Sequence, residues 1–272
     1  MPTLLDKARV FRSLHVPGRP LVLPNAWDVA SALLVARAGA RAIATTSAGV
    51  AWSLGAPDGG RLERGPALAA IARIASATDL PVTADIERGY AEEPEGVHRT
   101  VTGVLEAGAV GINLEDTLRP VAEQTERIAA AREAADTAGI PLYLNARIDT
   151  HRLPPGAARL DETVRRAHAY TAAGADGVFV LSALDADELR ALVGAVEVPV
   201  NVLTGPGTLT VPEYAAAGAA RVSAGSSIAE AAYSLAERAA RELLGAGTSA
   251  ELAGQLDWAA VNAVLLGEPP VG

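Results

Sequence analysis

The sequence predicts a single (β/α)8 TIM barrel with additional helices at its C-terminus. Three observations carry that prediction. Eight short runs rich in aliphatic and β-branched residues alternate with alanine-rich amphipathic stretches. Glycines in "RAGAR", "EAGAV", "TAGIP", "AAGAD" and "AAGAA" stand where a helix C-cap hands over to a strand. The 272 residues, half of them hydrophobic, suit one α/β barrel and show no linker or composition shift, so residues 1–272 read as one domain.

In chain order, strands are expected at 20–26, 41–47, 81–87, 109–116, 140–147, 176–182, 198–204 and 220–225. Helical patterns between them include 29–39, 65–78 and 123–139. An open doubly wound sheet is the alternative, but "VLPNAWD" and "ATTSAGV" lack the G-x-G-x-x-G phosphate fingerprint. Residues 226–272 read as a helical extension, one helix more than a bare barrel needs. Its apolar Leu252, Leu256, Trp258 and Val261 call for a partner surface such as another subunit.

Net charge is −9 and the basic residues are scattered, which disfavours nucleic acid and anionic membranes as partners. The absence of cysteine excludes disulfides, thiolate metal sites and a cysteine nucleophile. The first twenty residues lack the apolar core of a signal peptide, and no run approaches the ~18 apolar residues of a membrane span. A cytoplasmic protein is therefore expected.

In such a barrel, chemistry sits at the C-terminal ends of the strands. Those ends supply Asn25, Trp27 and Asp28, then Thr45, Thr46, Ser47 and Gly49, with Asp58 in the loop beyond. Next come Asp85 and Glu87, then Asn113, Glu115 and Asp116, then Asn145, Arg147 and Asp149. Ser182, Asn201, Thr204 and Ser223 end the last three strands. Asp85 and Glu87, two apart, are expected on the same side of one strand, as a solvated strand end or as cation ligands. Acids on three neighbouring ends favour the second reading, with Mg²⁺ or Mn²⁺ as the oxygen-seeking ion. Arg147 has the fork geometry for a substrate carboxylate, or would form an ion pair with Asp116 or Asp149. Trp27 and Trp52 are packing residues or pocket walls. His15, His98 and His168 read as solvated or partly packed, whereas His151 is placed to reach the mouth. No histidine stands at a spacing that would activate Ser47.

"ATTSAGVAWSLGAPDG", "PVTADIERGY", "GAVGINLEDT" and "LYLNARIDT", in this order and spacing, resemble the isocitrate lyase / phosphoenolpyruvate mutase superfamily over roughly residues 15–245. The resemblance implies a barrel whose last helix is swapped between subunits of a homotetramer or dimer, and a Mg²⁺ site for 2-oxo acids. It implies Asp85 as the direct metal ligand, with Asp58, Glu87 and Glu115 holding the ion through water. Ser47 and the N–H groups of Ala48 and Gly49 would bind the substrate carboxylate, Arg147 would neutralise it, and Trp27 or Trp52 would wall the pocket. Asn201 is a further candidate substrate contact.

The departure lies in "LEDTLRPVAEQTERIAA". Lyases of this superfamily carry a K-K/R-C-G-H loop there, and phosphonomutases a lysine and a nucleophilic asparagine; this chain has neither. The expectation is a Mg²⁺-dependent lyase that cleaves a C–C bond of a small 2-oxo carboxylate through a pyruvate enolate, as in oxaloacetate decarboxylation. The alternatives are P–C chemistry, either phosphonopyruvate hydrolysis or mutase-like transfer, and a metal-binding scaffold without activity.

Overall fold

A computed structural model describes residues 2–182 and 184–268, except for the side chain of residue 157. The strands are β1 (Leu21–Leu23), β2 (Asn25–Ala26), β3 (Ile43–Thr45), β4 (Val82–Asp85), β5 (Gly111–Glu115), β6 (Tyr143–Ile148), β7 (Gly177–Val180), β8 (Val200–Leu203) and β9 (Arg221–Ser223). All pair in parallel, in the order β1-β9-β8-β7-β6-β5-β4-β3-β2. β1 and β2 are two halves of the first barrel strand, separated by Pro24. One half pairs with β9 and the other with β3, which closes the ring. Eight barrel strands result, seven within the range expected for them, while β6 runs one residue past its expected end, to Ile148.

The helices are α1 (Leu4–Ser13), α2 (Val29–Arg37), α3 (Ser47–Ser53), α4 (Arg64–Ser76), α5 (Pro94–Glu106), α6 (Val121–Thr137), α7 (Ala157–Ala172), α8 (Ala186–Ala195), α9 (Val211–Ala216), α10 (Ser227–Gly245) and α11 (Trp258–Leu265). Alternation along the strands sorts the residues by face. Val82, Ala84, Ile112, Leu114, Leu144, Ala146, Val178, Val200, Val202 and Val222 join the core between sheet and helices. Their neighbours turn inward, so the barrel interior is polar: Thr83, Asn113, Asn145, Asn201, Arg221 and Ser223 are all buried there.

α1 closes the floor of the barrel. Phe11 and His15 pack on Tyr143, with the His15 ring stacked at 3.8 Å and an interplanar angle of 14°. His15 is thus buried rather than solvated, because a helix one turn before the first strand plugs the open end. Its carbonyl partner is Phe11, 2.9 Å from Nδ1. Burial drives its pKa down to about 3, and the nearby Arg221 charge adds to the effect.

α10 buries only Ala229 and Ala239 of its nineteen residues. Val22 on β1 stays 39% exposed, beside a groove of about 300 Å³ between β1 and α2. α11 lies against α2 of the same chain, where Arg37 Nη1 donates to the Ala260 carbonyl at 3.3 Å. Among the described residues no helix is long and apolar enough to cross a membrane.

Candidate active site

β3 runs straight into α3, with Thr46 as the extended residue between them. The first intrahelical bond is Val50 N to Thr46 O, so the N–H groups of Ser47, Ala48 and Gly49 are not used inside the helix. A Cβ at Gly49 would stand 2.7 Å from Trp27 Cβ, so only glycine lets α3 lie this close to Trp27. Trp27 packs against the cluster of Val50, Ala51 and Leu62. Trp52, at the far end of α3, meets Tyr233 of α10 edge to face at 6.0 Å. The two tryptophans are therefore not equivalent: one backs the helix start and the other joins α3 to α10.

Asp85 ends β4, and Glu87 follows in the left-handed region at φ 49°. The expectation that a strand's period of two aligns these acids is therefore corrected. A turn brings them together, since Glu87 N donates to Asp85 Oδ1 at 3.0 Å. A left-handed glutamate costs about 1–3 kcal/mol and persists only where its surroundings enforce it. Three residues do so. Glu115 N donates to Glu87 O at 3.0 Å, Gly60 N donates to Glu87 Oε2, and Arg127 on α6 donates to the Ala91 carbonyl at 2.9 Å and to those of Arg88 and Glu92.

Burial raises the pKa of Glu87 to about 7, helped by the neighbouring charges of Asp58 and Asp85. Glu115 also rises to about 7 through burial, against the pull of Arg147. Asp85 moves upward for the same first reason. Asp58 itself sits on the exposed loop facing this group. Among the described residues no three acids or histidines form a ready-made metal shell. Glu87 Oε1 is buried with no hydrogen-bond partner, and every donor in the group is oxygen. A divalent cation fits this donor set.

Arg147 is bound on two sides: Nη1 lies 2.7 Å from Glu115 Oε2, and Nε lies 2.8 Å from Asp149 Oδ1. Asp116 is not its partner. That carboxylate takes Arg166 at 2.9 Å and the Tyr170 hydroxyl at 2.8 Å. His151 Nδ1 lies 4.0 Å from Asp149 Oδ1. Asn201 belongs to the layer beneath, donating to the Val202 carbonyl at 2.8 Å and to Ser223 Oγ at 3.1 Å. Residues 116–120 alone connect β5 to α6, with Thr117 and Leu118 both at positive φ.

Sequence reading missed Arg127 and Arg221. A lone arginine within a helix carries no signal of the carbonyls it will clamp. Arg221 could have been found, since it shares the inward period of Ser223 while Val222 faces the core.

Acids and an arginine gather at the C-terminal mouth of a closed parallel barrel, the face on which barrel enzymes carry their active sites. Comparison with known proteins then specifies the kind. Residues 11–244 match the model of the phosphoenolpyruvate phosphomutase family, and the chain belongs to the isocitrate lyase / phosphoenolpyruvate mutase superfamily. An uncharacterized protein of Mycobacterium tuberculosis is 43% identical over 79% of this chain and 81% of its own length. The 2-methylisocitrate lyase of Escherichia coli is 31% identical over 73% and 70%. The oxaloacetate decarboxylase of Rhodopseudomonas palustris is 32% identical over 62% and 60%. A crystal structure of phosphonopyruvate hydrolase with oxalate and Mg²⁺ superposes with a TM-score of 0.82 at 27% identity, covering 96% of this chain and 95% of that one.

Proposed function

We propose that this enzyme is a divalent-cation-dependent lyase that breaks a C–C bond in a small 2-oxo carboxylate, with a β-keto acid of the oxaloacetate type as substrate. The observation that carries the reading is the acid group of Asp85, Glu87 and Glu115 gathered beside Arg147, above a β5–α6 connection of residues 116–120 without Cys, Lys or His. Cleavage that expels CO₂ needs no acid for its leaving group, so a short connection suffices. In the decarboxylation, the bond between C3 and C4 breaks and its electron pair passes toward the 2-oxo group. CO₂ departs, and C3 then takes a proton from solvent.

Asp85 would hold the cation directly, with Asp58, Glu87 and Glu115 acting through water. Mg²⁺ is the first candidate and Mn²⁺ the second. The cation supplies electrostatic pull on the oxo group when bound. Arg147 offers its remaining N–H groups to the substrate carboxylate while Glu115 and Asp149 hold its plane. Ser47 and the N–H groups of Ala48 and Gly49 take the other carboxylate oxygen, and Trp27 stiffens that helix start from behind.

P–C bond chemistry is the second reading, favoured by the 27% identity with the Mg²⁺-bound phosphonopyruvate hydrolase. The test is pyruvate release with and without Mg²⁺ from oxaloacetate, 2-methylisocitrate, 4-hydroxy-2-oxo acids and phosphonopyruvate, with Asp85→Ala as control. Mg²⁺-dependent release from oxaloacetate, lost in the variant, supports the first reading. Release from phosphonopyruvate with inorganic phosphate supports the second.

We also propose that α10 leaves its own barrel to cover the Val22 groove of a second copy, giving a homotetramer or dimer. The nearly unburied α10 and the uncovered strand face support this.

A further inference from the structure

Arg221 lies in the closed interior of the barrel, only 1% exposed. Its guanidinium makes one hydrogen bond among the described residues, from Nη2 to Asn113 Oδ1 at 3.2 Å, and leaves Nε and Nη1 unpartnered. A buried charge with so few partners is costly to the fold, which directs attention to the neighbour it does touch. The neighbour is Asn113. Its Oδ1 accepts from Arg221 and also from Asn145 Nδ2 at 2.9 Å. Two donors on one amide oxygen fix the flip of the side chain, because half a turn would set its own NH₂ against both. The amide nitrogen is thereby directed away from the floor. Asp85 is the register partner of Asn113 on β4, and both face the interior. The Asn113 side chain thus stands beside the Asp85 carboxyl, and its influence favours the carboxylate form against the upward push of burial.

We propose that Arg221 is a positioning residue for the cation site: acting through Asn113, it holds the Asp85 carboxylate in the orientation that receives a divalent ion. The inference rests on the reading of Asp85 as a direct ligand. Outer contacts of this kind govern metal affinity by roughly 10–100-fold. The sign of the effect separates orientation from bare charge. A fixed cation behind Asp85 repels an incoming ion, so deleting the charge alone would tighten binding. Deleting an orienting contact loosens it.

The experiment is Mn²⁺ titration of the full chain, followed by the EPR signal of the free ion, with thermal melts on each variant. Wild type is expected to bind and Asp85→Ala to lose binding. Arg221→Met and Asn113→Leu should each weaken binding about tenfold or more, and the double variant no further than the worse single one. Arg221→Lys, which keeps a donor for Asn113 Oδ1, should restore most of the affinity. Unchanged or tighter binding in Arg221→Met, or losses that add in the double variant, would overturn the proposal. If Arg221→Met does not fold, wild-type affinity in folded Asn113→Leu overturns it equally. Wild type that binds no Mn²⁺, or binds it regardless of Asp85, removes the ligand reading and this inference with it.

Discussion

Arg147 and Glu115 are joined at the mouth of the barrel by an ion pair of 2.7 Å between Nη1 and Oε2. The same guanidinium holds the fully buried Asp149 through Nε at 2.8 Å. One cation thus links two acids of different roles: Asp149 fixes its plane, and Glu115 joins it to the acids around Asp85.

Replacing Arg147 separates these roles. Arg147→Lys keeps a charge but loses the fork, so kcat/KM for the oxo acid should fall about tenfold or more. Arg147→Met strands two buried carboxylates and should also lower stability by about 3 kcal/mol. Steady-state kinetics and urea unfolding check both; wild-type kcat/KM in either variant would refute the assignment.

Cation binding should release protons near neutrality. Burial raises Glu87 and Glu115 to about 7, so in the cation-free protein both hold protons below that pH. A divalent ion favours their carboxylate forms and drives those protons off. Release measured with an indicator dye in weak buffer should be clear at about pH 6.5 and vanish by about pH 9, well above the raised values. No release at the lower pH would place these acids away from the ion.

His15 gives stability an opposite dependence on pH. Its folded pKa of about 3 lies below the 6.5 of a free imidazole, so the fold binds the neutral ring. Its contribution is complete above 6.5 and is lost as pH falls toward 3. The raised acids of the mouth work in the other direction, since their burial favours the fold when they are protonated. The comparison that isolates His15 is therefore wild type against His15→Phe, a ring of similar shape. Denaturation at about pH 7.5 and about pH 5 should show the variant losing less stability on acidification than wild type. Equal losses would mean that His15 is accessible to protons in the folded state.

The α10 helix predicts assembly. Ile228, Tyr233, Leu235 and Leu243 are between 38% and 50% exposed, and Leu244 is 89% exposed, a pattern that association would bury. Light scattering after size-exclusion chromatography should give a dimer or tetramer. Val22→Glu, which puts a charge in the uncovered groove, should shift the mass toward monomer. A monomeric wild type would show that α10 stays with its own chain.

Much of the site was legible because barrels export chemistry to strand ends. Asp85, Glu115 and Arg147 stand on neighbouring strands because β4, β5 and β6 are neighbours in sequence and in the sheet. Their common mouth follows from strand order alone. The brevity of the 116–120 connection and the absence of cysteine were equally plain, since both are properties of the chain before it folds.

What the linear order of residues determined by itself was the alternation of elements, hence the barrel, and the set of side chains at its mouth. These rest on periods of two and 3.6 residues, which act over a few neighbours. Tertiary structure alone decided the partners. Glu87 reached Asp85 through a left-handed turn that residues from α6 and β5 enforce, Asp116 went to Arg166, and His15 sealed the floor beneath Arg221. The reason is physical. A buried charge or amide pairs with whatever the closed barrel brings within about 3 Å, and pairings such as Arg166 with Asp116 join positions far apart in the chain.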